Sequence, residues 1–161
     1  MTGRSVLSVD QFSRTDLETV FAAADAAKRV VESSGSCEAC KGKILANAFY
    51  EPSTRTMCSF AAAMYRLGGN VLAINASTSS VKKGETLGDT VRSLECYSDV
   101  VVLRHPVKGS AAEADAALQC PLQVCRATTQ AATAVAMCLW RWWLPALVAG
   151  RWQLVALASD R

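Results

Sequence analysis

The chain has 161 residues, 51% of them hydrophobic and 19% charged, which is the balance of a globular domain with a real core and excludes a disordered chain. Its net charge of +3 is too small to argue for a nucleic-acid partner, and it suits an anionic small molecule.

No basic segment followed by an apolar stretch and a cleavage site opens the chain, so a cytoplasmic location is expected. The seven cysteines, an odd number scattered from Cys37 to Cys138, read as reduced thiols. Cys37-Glu38-Ala39-Cys40 has a spacing that suits zinc or a redox dithiol. No second ligand pair accompanies it and His105 is the sole histidine, so neither a metal nor a cofactor is expected.

In chain order, Ser13-Arg14-Thr15-Asp16 has the form of a capping box with Asp16 in the usual glutamate position. Leu17, Val20, Phe21, Ala24, Ala27 and Val31 follow as one apolar stripe at helical spacing, and this helix should serve as structure only. Ser33 to Ser36 reads as a surface loop. Ile44 to Tyr50 is a short apolar run of the kind that forms a strand buried on both faces. Pro52 stops the ladder, and Ser53 is placed to cap a helix from Thr54 to Leu67. Phe60, Ala63, Met64 and Leu67 line the inner face of that helix, and Gly68-Gly69 ends it.

Asn70 to Ile74 supplies a second strand, completing a βαβ unit. Asn75 to Gly84 is too polar for the core, and by itself reads as a surface loop with two solvated lysines, Lys82 and Lys83. Thr86 to Tyr97 is the next helix, with Leu87, Val91, Leu94 and Cys96 expected inward. Val100 to Leu103 is β-branched and unbroken, as a central parallel strand should be. It delivers Arg104-His105-Pro106 at its C-terminal end, where open α/β sheets place ligands. Ala111 to Leu118 is a short helix and Pro121 to Val124 a short fourth strand. The expected fold is α/β, a three-layer αβα sandwich on a four-stranded parallel sheet.

The chemistry lies between the first strand and its helix. Ser53, Thr54, Arg55 and Thr56 put three hydroxyls, a guanidinium and several unpaired N–H groups at one helix N-terminus. Such an end carries roughly half a positive charge and suits a phosphate, and Arg55 can grip two oxygens at once. Taken alone, Ser-Thr-Arg-Thr reads sooner as an ordinary serine cap before a solvated helix face.

The wider pattern goes further. Phe49-Tyr50-Glu51-Pro52-Ser53-Thr54-Arg55-Thr56, then Ser59-Phe60 and Arg66-Leu67-Gly68-Gly69, resembles the carbamoyl-phosphate loop of the aspartate and ornithine carbamoyltransferases. Ser79 to Thr90, with Lys82-Lys83-Gly84-Glu85-Thr86, and then Arg104-His105-Pro106 are similar to the aspartate enzymes in particular. The resemblance runs from about Leu7 to about Pro121. It implies that Ser53, Thr54, Arg55, Thr56 and Arg104 bind carbamoyl phosphate, with Arg55, Lys83 and Arg104 as the catalytic cations. It also implies that Ser79 and Lys83 act in a neighbouring subunit's site, hence a homotrimer. His105 is expected to be a local structural residue and not the catalytic histidine.

Beyond Pro121 the family pattern fades. Thr129-Gln130-Ala131 echoes the end of a His-Pro-Thr-Gln motif, but Ala127 stands where its histidine belongs. A carbamoyl-phosphate-binding domain is therefore expected over 1–124, and a non-homologous apolar tail over 125–161, with no aspartate-binding domain. Arg141 and Pro145 interrupt the apolar run, so a membrane span is not expected. A partner-docked helix has poor periodicity there, and a terminus altered by a frame shift or unusual splice is the expectation. The reaction implied is carbamoyl transfer from carbamoyl phosphate to L-aspartate, without metal, cofactor or covalent intermediate, and with little turnover from these residues alone. The alternative is a non-catalytic phosphate-binding module, or an isoform that poisons trimers of a full-length version.

Overall fold

The computed structural model describes residues 5–75, 84–118 and 124–126. After a short 3₁₀ turn at Val9–Gln11, the elements are α1 (Arg14–Ser34), β1 (Ile44–Phe49), α2 (Thr54–Arg66) and β2 (Asn70–Asn75). They continue with α3 (Leu87–Glu95), β3 (Val100–Arg104), α4 (Ser110–Ala117) and β4 (Val124–Arg126). All strand pairs are parallel, in the order β2-β1-β3-β4. The α/β class with a parallel sheet agrees with the sequence reading.

Parallel strands need both faces covered, and β1 and β3 show why their sequences are apolar throughout. Leu45 and Phe49 of β1, with Val100 and Val102 of β3, pack with Phe60, Met64 and Leu67 from α2 and the turn after it. The alternate residues Ala46, Ala48, Val101 and Leu103 pack with Val91 and Leu94 of α3 and Ala114 of α4. From β1 the chain crosses through α2 to β2 on one side, and from β2 it crosses through α3 to β3 on the other. The carboxyl ends of β1 and β3 thus flank the point where the winding reverses, which is where such sheets open a crevice.

The capping box of α1 is complete. The Asp16 N–H donates to Ser13 Oγ at 3.2 Å and the Ser13 N–H to Asp16 Oδ2 at 2.9 Å. Hydrogen bonds from the Ser13 hydroxyl and amide hold the Asp16 carboxyl below its ordinary pKa. The buried stripe of α1 is Val20, Ala23, Ala24 and Ala27. Phe21 was expected in that stripe but is 51% exposed, because it lies a full 100° around the helix from Val20. Cys96, expected inward, is exposed at the C-cap of α3, and Thr90 takes a buried place instead.

The final strand also differs. Val124, Cys125 and Arg126 pair with Val101, Val102 and Leu103, so the strand runs past the expected end at residue 124, while the expected residues 121–123 lie outside the described residues.

The Cys37–Cys40 turn closes on the end of α2. The Cys37 N–H donates to the Arg66 carbonyl at 2.8 Å and the Cys40 N–H to the Leu67 carbonyl at 2.6 Å. Gly68 has φ +81°, and a Cβ there would lie 2.9 Å from the Cys37 carbonyl oxygen. Cys40 is fully buried, and burial is the main cause that raises its thiol pKa. Both cysteines are free thiols and Cys40 is part of the core. Among the described residues no helix is long and apolar enough to cross a membrane, and no group of three metal-ligating side chains forms. The expected tail falls outside the described residues, apart from Cys125 and Arg126.

Candidate anion-binding site

Phe49 and Arg104 are register partners at the ends of β1 and β3, and the Tyr50 N–H donates to the Arg104 carbonyl at 2.8 Å. The segment that leaves β1 toward α2 therefore passes beside the Arg104 side chain. Arg104 alternates with Val100 and Val102, so its side chain rises on the face covered by α2. Its Nε lies 2.5 Å from Glu51 Oε1, and its Nη1 donates to Ser53 Oγ at 3.1 Å. Arg104 is 8% exposed, so this is a nearly desolvated cation held at a helix N-terminus.

Ser53 occupies the N-cap position of α2, but its hydroxyl makes no cap hydrogen bond. It donates instead to Thr56 Oγ1 at 3.0 Å while accepting from Arg104. The expected serine cap is thus corrected: the hydroxyl serves a side-chain chain of Arg104, Ser53 and Thr56. The backbone ladder starts with the Met57 N–H on the Ser53 carbonyl at 3.0 Å, so the amides of residues 54–56 precede it. Thr54 and Arg55 are exposed and Thr56 is buried. Arg55 has no hydrogen bond or ion pair to the described residues, which leaves its fork of donors for a ligand.

The fold therefore brings Ser53, Thr56 and Arg104 into one hydrogen-bonded chain, with Thr54 and Arg55 in the adjacent helical turn. Ser79 and Lys83 lie outside the described residues. Glu51 went unrecognised as Arg104's partner. Its only signal in the sequence is a lone carboxylate between a strand end and Pro52.

His105 sits on the other side of the strand ends. Its ring centroid is 4.7 Å from that of Tyr50. Its Nδ1 accepts from the Val107 N–H at 3.2 Å and lies 2.7 Å from Ser110 Oγ, so this nitrogen is engaged by the entry to α4. Burial raises the pKa of the Tyr50 phenol. The Thr90 hydroxyl opposes that shift from nearby, although no hydrogen bond of ordinary geometry joins the two.

A Ser-Thr-Arg-Thr turn at a helix N-terminus, joined to an arginine from a strand end, is matched by a known family. The sequence profile of the family described as aspartate/ornithine carbamoyltransferase, carbamoyl-P binding domain, fits residues 4–132. The chain belongs to this family. It is 51% identical over 110 residues to the aspartate carbamoyltransferase catalytic subunit of Thermococcus gammatolerans, covering 68% of this chain and 36% of that protein. It is 53% identical over 103 residues to the multifunctional protein ura1 of Schizosaccharomyces pombe, covering 64% of this chain and 5% of that one. In structure it matches aspartate transcarbamoylase from Trypanosoma cruzi in complex with carbamoyl phosphate and aspartate. There the TM-score is 0.72 and the identity 41%, over 78% of this chain and 41% of that one.

The chain thus spans about a third of the length of the archaeal carbamoyltransferase it matches. The part it shares is the carbamoyl-P binding domain, and the matched region carries the expected turn and the Arg104 strand end.

Proposed function

We propose that this chain binds carbamoyl phosphate at the N-terminus of α2 and is of the aspartate carbamoyltransferase type, acting in the carbamoylation of L-aspartate for pyrimidine synthesis. The observation that supports it most is the reach of Arg104 from the end of β3 to Ser53 at the head of α2. Ser53, Thr54 and Thr56 bind phosphate oxygens, and Arg55 and Arg104 balance their charge. Lys83 and Ser79 come from a neighbouring subunit, so the working unit is a cytoplasmic homotrimer. The domain is a three-layer αβα sandwich with a four-stranded sheet over 1–124, followed by a tail over 125–161.

In the reaction the aspartate amine attacks the carbamoyl carbon, and phosphate departs with the electron pair of the broken C–O bond and takes up the proton the amine sheds. Charge builds on the leaving phosphate, so fixed cations and helix amides stabilise the transition state more than the ground state. No covalent intermediate is required, because orientation of two bound reactants supplies much of the acceleration. Without ligand, Glu51 occupies Arg104, and an arriving phosphate takes its place.

The family match ends at residue 132, and the chain covers 36% of the archaeal relative's length, which favours a second reading for these 161 residues alone. They act as a phosphate-binding module without turnover, or mix into trimers of longer chains and poison them. Purified protein incubated with carbamoyl phosphate and aspartate separates the readings. Saturable phosphate binding without product is the expected result. Product formation supports the enzyme, and absence of any phosphate binding removes both.

A further inference from the structure

Two buried side-chain atoms among the described residues lack a hydrogen-bond partner, Tyr50 Oη and Asn47 Oδ1. Asn47 is the more telling. It is fully buried at the middle of β1, between Leu45 and Phe49 on the face that α2 covers. An apolar residue at this position would extend the core and remove an unpaired carbonyl, which is costly when buried. The amide therefore costs stability at this place in the core.

Its other half explains what it does. Asn47 Nδ2 donates to the Met57 carbonyl at 3.1 Å. Met57 is the fourth residue of α2, and its carbonyl already has a donor one turn on in the helical ladder, so this bond is not needed to satisfy it. What the bond adds is position. It ties the first turn of α2 to the centre of the sheet, beneath Thr56, whose hydroxyl accepts from Ser53. Arg104 is fixed by the same sheet, one strand over, through the pairing of Phe49 with Arg104. The sheet thereby holds both halves of the crevice, Arg104 directly and the α2 amides through Asn47.

We propose that Asn47 is a positioning residue of the anion site, setting the height and rotation of the α2 head so that its amides and Arg104 address one phosphate. The inference rests on the phosphate-binding reading above. It assigns Asn47 no contact with the ligand.

The test compares the full 161-residue chain with Asn47→Leu, and with the smaller Asn47→Val should leucine overpack the site. Three quantities are measured: thermal midpoint, affinity for inorganic phosphate by calorimetry, and, by NMR without phosphate, hydrogen exchange of the amides of residues 57–61, whose ladder bonds close the first turn. The expected result is a midpoint equal or higher, phosphate affinity lower by about tenfold, since a displaced donor is degraded but not absent, and faster exchange in the first turn. Unchanged affinity beside wild-type phosphate binding overturns the proposal and leaves the functional reading standing. Should wild type bind no phosphate, the functional reading fails, and the positioning role of Asn47 is overturned with it, whatever the exchange of the first turn. A midpoint that falls with affinity intact marks Asn47 as a purely structural residue.

Discussion

Arg104 Nη1 donates to Ser53 Oγ across 3.1 Å, joining residues 51 positions apart in the chain. The bond carries a guanidinium from the tip of β3 to the head of α2, where the helix already presents its own positive end. Every functional expectation for this chain depends on those two sites of positive potential being one.

Arg55 is the clearest place to test this. It is exposed and bound to none of the described residues, so its removal should leave the fold intact. Arg55→Ala should weaken phosphate binding by about 1.5–3 kcal/mol, the scale of a charge-assisted hydrogen bond. Calorimetry checks the affinity, and a thermal midpoint near that of wild type checks the fold. An unchanged affinity places the anion elsewhere.

Glu51→Gln separates stability from binding in the opposite sense. The Arg104–Glu51 pair is mostly buried, with side-chain exposures of 10% and 31%. Loss of the carboxylate leaves Arg104 less compensated, costing about 1–2 kcal/mol after allowance for solvent at Glu51. The same change removes the anion that competes with phosphate for Arg104. Tighter phosphate binding together with a lower thermal midpoint is expected, and weaker binding contradicts the competition.

Alkaline pH should destabilise the chain through Cys40. Its ordinary thiol value is 9.0, and burial raises the folded-state value above that. The unfolded chain therefore loses its proton first as pH rises, so the contribution is whole below about pH 9 and fades above it. The thermal midpoint should fall above that pH, and the fall should be shallower in Cys40→Ala. Parallel slopes for the two proteins count against it.

The two glycines Gly35 and Gly68 give a matched pair. Both have positive φ, +76° and +81°, but only Gly68 has backbone pressed against the place of its missing Cβ. Gly35→Ala should cost about 1 kcal/mol from conformation alone, and Gly68→Ala about 2–3 kcal/mol because the Cys37–Glu38 backbone must also move. Denaturant midpoints measured side by side check the order. Equal costs refute the docking of the Cys37–Cys40 turn as the reason for Gly68.

Local chemistry wrote a good part of this protein into its sequence. Val100 to Leu103 is β-branched and unbroken and forms a buried strand. The Ser13–Asp16 capping box forms as spaced, and Gly68 ends α2 where expected. The Ser53–Thr56 turn stands at the head of α2 as its Pro52-Ser53 spacing suggests, because helix starts are set by local residues. Such features depend on neighbours within one helical turn or one strand, so residue order suffices to specify them.

What only the tertiary structure decided is which distant groups meet. The register that sets Phe49 against Arg104 gives Arg104 its two partners, Glu51 and Ser53, and draws the Ser53 hydroxyl away from the helix cap. Asn47 looks in sequence like one polar residue in an apolar strand, and becomes a tether to Met57 only once α2 is laid across it. Phe21 and Cys96 turned outward for the same reason: periodicity says which residues share a face, and packing between remote segments says how much of that face is covered.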